Sequence, residues 1–392
     1  MTRLLKTDGW SRRFRSVAVI TTAVGVCLAS PVHARSSKLL DCPMRDAPFS
    51  IESPLIDIML SDAAKAVIEK SAPGAMQQIP SFLSGTKAPT FSAILKLSNV
   101  IGMSPALKSS NITALNTALG NIPVTVADQE ARCARYDDDR PKFKLSKGKT
   151  RVLLFEKITG FRDSPSVAAA TAAFNALARR NGWAIAVTDK GGAMHPAVLR
   201  QFDVVVWNNV SGDVLTLTQR KAFRTFIENG GGFVGIHGSA GDPEYFWDWY
   251  PDRLIGARFI GHPHDPQFQD AQVVIEPSAS GIGRKLGPHW TMNDEWYSFA
   301  KSPRLDGAEI VATLNEDTYK PGVSLFVETP LSMGKDHPIV WTRCVGKGRS
   351  FYSAIGHRPE VYSDDRYLAL LEQGVAWAAQ RAGSSCLKDS AQ

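Results

Sequence analysis

Cysteine is scarce in this chain, five in 392 residues, and Cys27 falls in an N-terminal segment that reads as a leader. No basic stripe with interleaved aromatics is present, which leaves nucleic acid out as a partner. The N-terminal apolar run, Val17–Ala29, is too short to span a bilayer as a stable anchor. Arg3, Lys6, Arg12, Arg13 and Arg15 precede it, and Val32-His33-Ala34 follows as a small-x-small cleavage site. Residues 1–34 are therefore expected to be a secretory signal peptide. Its removal takes away five basic residues and one acid, leaving a net charge of +3 and no membrane span. The expected location is periplasmic or secreted.

Cys42, Cys133, Cys344 and Cys386 remain. An even count in an exported protein implies two disulfides. Of the three possible pairings, Cys42–Cys133 and Cys344–Cys386 are favoured, because each joins residues of one region. Hydrophobic content of 44% and charged content of 21% are ordinary for a globular protein.

The chain changes character near residue 150. Residues 35–145 read as a small helical module and linker, with helices over 55–70, 91–101 and 112–119. Asp137-Asp138-Asp139 reads as part of a solvated linker. From 150 to 381, strands alternate with helices. Arg151–Phe155, Trp183–Val187, Asp203–Trp207 and Phe233–Ile236 read as strands, with helices over 166–180 and 218–229. Later strands are expected at 271–275, 309–314, 338–342 and 349–355, and a closing helix at 366–379. This is an α/β pattern: a parallel-sheet three-layer sandwich preceded by the helical module. Ligands of such sheets sit beyond the carboxyl ends of the strands. Three loops leave those ends, Glu156–Asp163, Asn208–Asp213 and His237–Asp242, and are expected to converge on one cleft.

The most informative stretch is Gly230-Gly-Gly-Phe-Val-Gly-Ile-His237-Gly-Ser239. A short apolar strand followed by one polar residue among small ones has the composition of a nucleophile elbow. The presented side chain is an imidazole, not a hydroxyl or thiol. Six of the seven histidines that follow the leader lie at or after residue 237. His237, His262 and His357 are candidate ligands for a divalent metal such as zinc. His237, Asp294, Glu295 and His357 are candidate acid, base or ligand groups. Arg162, Asp163, Asn208, Trp296 and Tyr297 are candidates for substrate contact. Trp247, Trp249, Trp290, Tyr245 and Tyr250 add aromatic faces that suit sugar rings and equally suit core packing.

Several motifs taken together resemble the trehalose-utilisation (ThuA-like) family. They are Asp203-Val-Val-Val-Trp, Leu215-Thr-Leu-Thr-Gln, the glycine-rich stretch through Gly238, Asp294-Glu-Trp-Tyr, His337-Pro-Ile-Val-Trp and Gly348-Arg-Ser-Phe-Tyr-Ser-Ala-Ile-Gly-His357. The resemblance covers roughly residues 150–380. It implies a fold similar to class I glutamine amidotransferases, and a link to the use of trehalose, related disaccharides and 3-keto-sugars. It implies that His237 stands where those enzymes carry their nucleophilic cysteine, and gives functional roles to His262, Asp294, Glu295, His337 and His357. One departure is visible: the family often has Phe-Arg-His where this chain has Phe161-Arg162-Asp163. Glutamine amidotransfer is not expected, because thiolate attack needs a cysteine at the elbow. The expected function is an exported enzyme processing a carbohydrate or 3-keto-sugar derivative. The alternative is a carbohydrate-binding or accessory protein without turnover.

Overall fold

Short runs of Val, Leu, Ile and Phe build the centre of the molecule. The computed structural model describes residues 39–278, 280–324, 329–380 and 386. The expected signal peptide, residues 1–34, lies outside these residues. Eleven strands are present among them: β1 (Arg151–Phe155), β2 (Ala184–Thr188), β3 (Val204–Asn208), β4 (Gly232–Ile236), β5 (Phe259–Gly261), β6 (Phe268–Ile275), β7 (His289–Glu295), β8 (Ser298–Phe299), β9 (Glu309–Asn315), β10 (Pro338–Val345) and β11 (Gly348–Ser353). Nine form one sheet in the order β2-β1-β3-β4-β11-β10-β9-β6-β7. Pairing is parallel from β2 through β11. It is antiparallel from β11 to β7. β5 and β8 make a separate antiparallel pair.

The continuous apolar character of β3 and β4 has a direct structural reading. All five residues of each are buried, so both faces of the sheet are covered there. The three long helices of this region are each capped by their own sequence: Ser164–Asn181 by Asp163, Leu217–Glu228 by Thr216 and Asp365–Ala378 by Asp364. The expected α/β sandwich is therefore present, with an antiparallel extension beyond β11.

The helical segment has its own apolar centre, built from residues such as Leu55, Ile58, Ile68, Leu95, Val100 and Leu115. The single helix expected over 55–70 is two, Leu55–Leu60 and Asp62–Ser71. Ser61 sits between them in an extended conformation and caps the second by accepting from the Ala64 N–H. Residues 91–101 form short 3-10 and α turns, not one helix. Asp137 is not simply solvated. It pairs with Lys157 at 2.7 Å and accepts from the Gly191 and Gly192 N–H groups. Both disulfides join the favoured partners, with Cα separations of 5.5 Å for Cys42–Cys133 and 5.4 Å for Cys344–Cys386. No helix among the described residues is long and apolar enough to cross a membrane.

Candidate functional site

His237 begins the turn that leaves β4, and its φ of +38° is one that residues other than glycine rarely adopt. The sharp turn at the strand end matches the elbow expected from the glycine-rich sequence. The strain is held by hydrogen bonds on both sides of the residue. The Tyr352 hydroxyl donates to the His237 carbonyl at 2.8 Å, and Gly238 N–H donates to Asn209 Oδ1 at 3.2 Å. The imidazole is buried and stacks on Tyr297 with ring centres 4.1 Å apart.

The tautomer of His237 follows from its partners. Nδ1 lies 2.7 Å from the Ala354 carbonyl, which can only accept, so Nδ1 carries the proton. In the neutral ring Nε2 then presents a lone pair. It faces Glu295 Oε2 at 3.4 Å and His357 Nδ1 at 3.2 Å. His357 Nδ1 and Glu295 Oε2 are 3.0 Å apart. Three ligating atoms thus meet at one point, all from buried or nearly buried side chains. Burial opposes ionisation of Glu295, but its interactions with His237 and His357 outweigh it and hold the carboxyl well below its ordinary value. Burial also works to lower the His357 imidazole, and the hydrogen bond and charge of Glu295 leave it raised.

The meeting of β7 with the elbow is a consequence of sheet shape. β7 lies five positions from β4, about 24 Å in a flat sheet. Contacts of 3.0–3.4 Å between Glu295 and the two histidines require the antiparallel half to curl back over the strand ends. Register shifts between β9 and β10 at Pro338–Trp341 supply a local bend. Four successive antiparallel pairings return β7 to the direction of β11, so Glu295 emerges on the same edge as His237 and His357.

Asp294 and Glu295 do not act as one pair. Adjacent strand residues point to opposite faces. Asp294, fully buried, accepts from Gly356 N–H at 2.6 Å and Arg358 N–H at 2.9 Å. Burial raises its carboxyl above the ordinary range, against the pull of His237 and these amides. It therefore clamps the turn that carries His357. Gly356 in that turn has a φ of +142°, and a Cβ there would lie 2.6 Å from Tyr362 Oη and 3.1 Å from His237 Cβ.

His262 stands at the rim, its Nδ1 2.8 Å from the Pro263 carbonyl and 3.3 Å from Glu295 Oε1. It approaches the other carboxylate oxygen and is not part of the three-atom set. Burial lowers its imidazole, partly countered by Glu295. His337 is fully buried one layer away, with Nδ1 2.6 Å from Glu316 Oε1 and Nε2 2.9 Å from the Tyr297 carbonyl. It braces Tyr297 and, through it, the ring under His237.

Of the five residues expected to touch substrate, Arg162 alone is exposed. Asp163 caps the helix Ser164–Asn181 by accepting from Ser166 N–H, and the Ser166 hydroxyl links it to the His357 carbonyl. Asp is among the strongest residues for this capping role. Asn208 is buried, donating to the Val167 carbonyl and Thr171 hydroxyl. Trp296 is in the core, its N–H on the Gln269 carbonyl. Tyr297 is the platform beneath His237. Trp290 and Tyr250 are core residues as well. Gln267, which donates to Glu295 Oε1 at 2.5 Å, and Phe268, in edge contact with His357 at 5.2 Å, were not singled out from the sequence. A strand starting at 268 would have flagged them.

The three expected loops do converge. Thr159 and Gly160 N–H donate to the Ser211 carbonyl, while Ser211 Oγ and Gly212 N–H donate to Asp242. A cavity of about 640 Å³ lies at the opposite end of the strands, lined by Leu199, Phe202, Ala222 and Phe226. It lies away from His237 and His357 and from the edge where ligands of such sheets bind. All four cysteines among the described residues are in disulfides, so no thiol is present there for amidotransferase chemistry.

Comparisons with known proteins follow the same lines. No curated protein matches the chain. Among solved structures, a ThuA-like protein from Bacteroides uniformis is 24% identical with a TM-score of 0.50, covering 61% of this chain and 95% of its own. A ThuA-like protein from Parabacteroides merdae is 16% identical with a TM-score of 0.43, covering 60% and 91%. A cytoplasmic protein from Salmonella typhimurium is 10% identical with a TM-score of 0.40, covering 59% and 100%. The trehalose-utilisation family, ThuA, matches residues 151–378. That span is more than half of the chain and holds the elbow, the clamp and the whole histidine–glutamate cluster: the chain belongs to the ThuA family.

Proposed function

We propose that this protein is an exported enzyme acting on a carbohydrate or 3-keto-sugar derivative, with His237, Glu295 and His357 holding a divalent cation. One observation carries the reading. The three facing atoms are 3.0, 3.2 and 3.4 Å apart. Ligands placed tetrahedrally at zinc bond lengths of 2.0–2.1 Å would be about 3.3 Å apart. Two imidazoles and one carboxylate suit zinc better than magnesium or calcium. The His237 Nε2 lone pair opposite an ionised carboxylate also calls for a positive centre between them. The Nδ1 contact to the Ala354 carbonyl is the kind of support that orients a ligating imidazole.

A bound cation would polarise a substrate oxygen or lower the pKa of a water there. The chain's own groups would do the rest. Tyr297 fixes the plane of His237, Asp294 fixes the turn of His357, and the exposed Arg162 is available to substrate hydroxyls. A metal-free reading draws on a different detail. With Nδ1 on Glu295, His357 has no partner for Nε2 among the described residues, and a Glu–His pair with an outward nitrogen is a general-base arrangement. Two disulfides and the leader-like N-terminus support a periplasmic or secreted location.

The test is metal analysis of the exported protein, followed by activity on 3-keto-glycosides and disaccharides with and without chelator. Turnover lost to chelator and restored by zinc supports the reading. Turnover indifferent to chelator favours the Glu295–His357 base. Binding without turnover on every substrate makes the protein a carbohydrate binder.

A further inference from the structure

Phenylalanine is distributed unevenly over the surface. Three phenylalanines are exposed among the described residues, Phe82 at 55%, Phe161 at 38% and Phe268 at 38%. Two of them lie beside His357, and Phe82 is linked to them through Phe91. Phe161 and Phe268 flank the imidazole, with ring centres 6.0 and 5.2 Å away. Phe161 continues into Phe91 at 5.2 Å, and Phe91 into Phe82 at 5.9 Å. Solvent-exposed phenyl rings leading to a polar buried cluster mark a surface meant to be covered.

Phe82 and Phe91 lie outside the residues 151–378 that match the family. They come from the helical segment, and that segment is fixed against the site. Thr90 N–H donates to the Thr159 carbonyl at 3.0 Å, and Asn99 and Lys96 bind Glu244 at 2.9 and 3.0 Å. Gly160 leaves no space between the two parts, since a Cβ there would lie 2.4 Å from Ile94 Cγ2. Phe91 is itself anchored in the apolar centre of the helical segment.

We propose that the helical segment supplies a second subsite, in which Phe91 and Phe82 extend the Phe161 surface to stack a second ring of the substrate. The inference rests on the carbohydrate reading above. The substrate class is a glycoside whose first ring reaches His357 and whose second ring offers an apolar face, either a second sugar or an aromatic aglycone. Phenyl rings have no hydrogen-bonding atoms, so this subsite selects a flat apolar face and tolerates variation in hydroxyl pattern.

The experiment is calorimetric titration of the full exported protein with glucose, trehalose, phenyl glucoside and the 3-keto form of each. The two-ring ligands are expected to bind at least tenfold more tightly than the one-ring ligand. Phe82→Ala and Phe91→Leu should each shrink that ratio at least threefold, and together bring it close to one. Phe82 is exposed and Phe91→Leu keeps an apolar side chain, so unchanged circular dichroism and melting are expected to accompany the loss. Trehalose against phenyl glucoside tells which kind of second ring is preferred. An equal affinity for one-ring and two-ring ligands, or a ratio untouched by both substitutions, overturns the subsite and leaves the carbohydrate reading standing. If no ligand of the set binds the unaltered protein, the carbohydrate reading falls and the subsite with it.

Discussion

Replacing Asp294 by Asn keeps the shape of the side chain and removes one acceptor from a fully buried clamp. Asp294 accepts from two backbone N–H groups, Gly356 at 2.6 Å and Arg358 at 2.9 Å. An Asn amide can accept from only one of them and turns an N–H₂ toward the other. Two buried donors then face each other without acceptors, each costing roughly 1–3 kcal/mol. The expected loss is about 2–6 kcal/mol, from urea unfolding followed by tryptophan fluorescence. Because the clamp positions the turn that carries His357, zinc affinity should fall about 10–100-fold, as is common when the support of a ligand is altered. Competition with a chromogenic chelator reads that number independently of stability. A stability change below about 0.5 kcal/mol with unchanged zinc affinity would refute the assignment of Asp294 as the clamp.

Other consequences concern acid, base and redox stability. Burial pushes the Glu316 carboxyl up, but hydrogen bonds from His337, Ser332 and Met333 N–H outweigh it and bring it to about 2. That is below its ordinary 4.5, so its contribution is present above pH 4.5 and lost as pH falls toward 2. Glu316→Gln should flatten the acid limb of a urea-midpoint curve, and an unchanged limb counts against the pair. Asp242 behaves oppositely: burial raises it from 3.8 to about 7, against hydrogen bonds from Ser211 and Gly212. Its contribution is full below pH 3.8 and lost as pH rises from there through 7, so Asp242→Asn should reduce the fall in stability between pH 4 and 7. Reduction of Cys344–Cys386, with its sequence separation of 42, should cost about 2–4 kcal/mol in the same assay, and a shift below 0.5 kcal/mol would contradict a native bridge.

What the sequence made legible depended on how plainly each residue stated its surroundings. Asp203–Trp207 is a central buried strand because an unbroken apolar run has no solvent face to offer. The elbow at His237 was legible because only small residues fit around so tight a turn. β7 was not legible, because the alternation of His289-Trp-Thr-Met292 ends in Asn293-Asp-Glu295, residues disfavoured in strands. Without that strand, the sequence could not show that the pleat sends Asp294 and Glu295 to different partners. The role of Glu295 needs the curl of the antiparallel half, a long-range property that no local pattern encodes. The aromatics illustrate the same limit. Trp290 and Trp296 looked suited to sugar and are core, while the exposed faces beside His357 belong to Phe161 and Phe268. Composition names the available rings, and packing decides which of them meet solvent.

The most direct test of the account is zinc titration of the chelator-stripped protein by calorimetry, repeated on His237→Ala, Glu295→Gln and His357→Ala. The account predicts one zinc per chain in the unaltered protein, an affinity lowered at least 100-fold in each variant, and thermal melts showing that all four proteins remain folded. Absence of stoichiometric binding to the unaltered protein, or binding that survives all three substitutions, would contradict it.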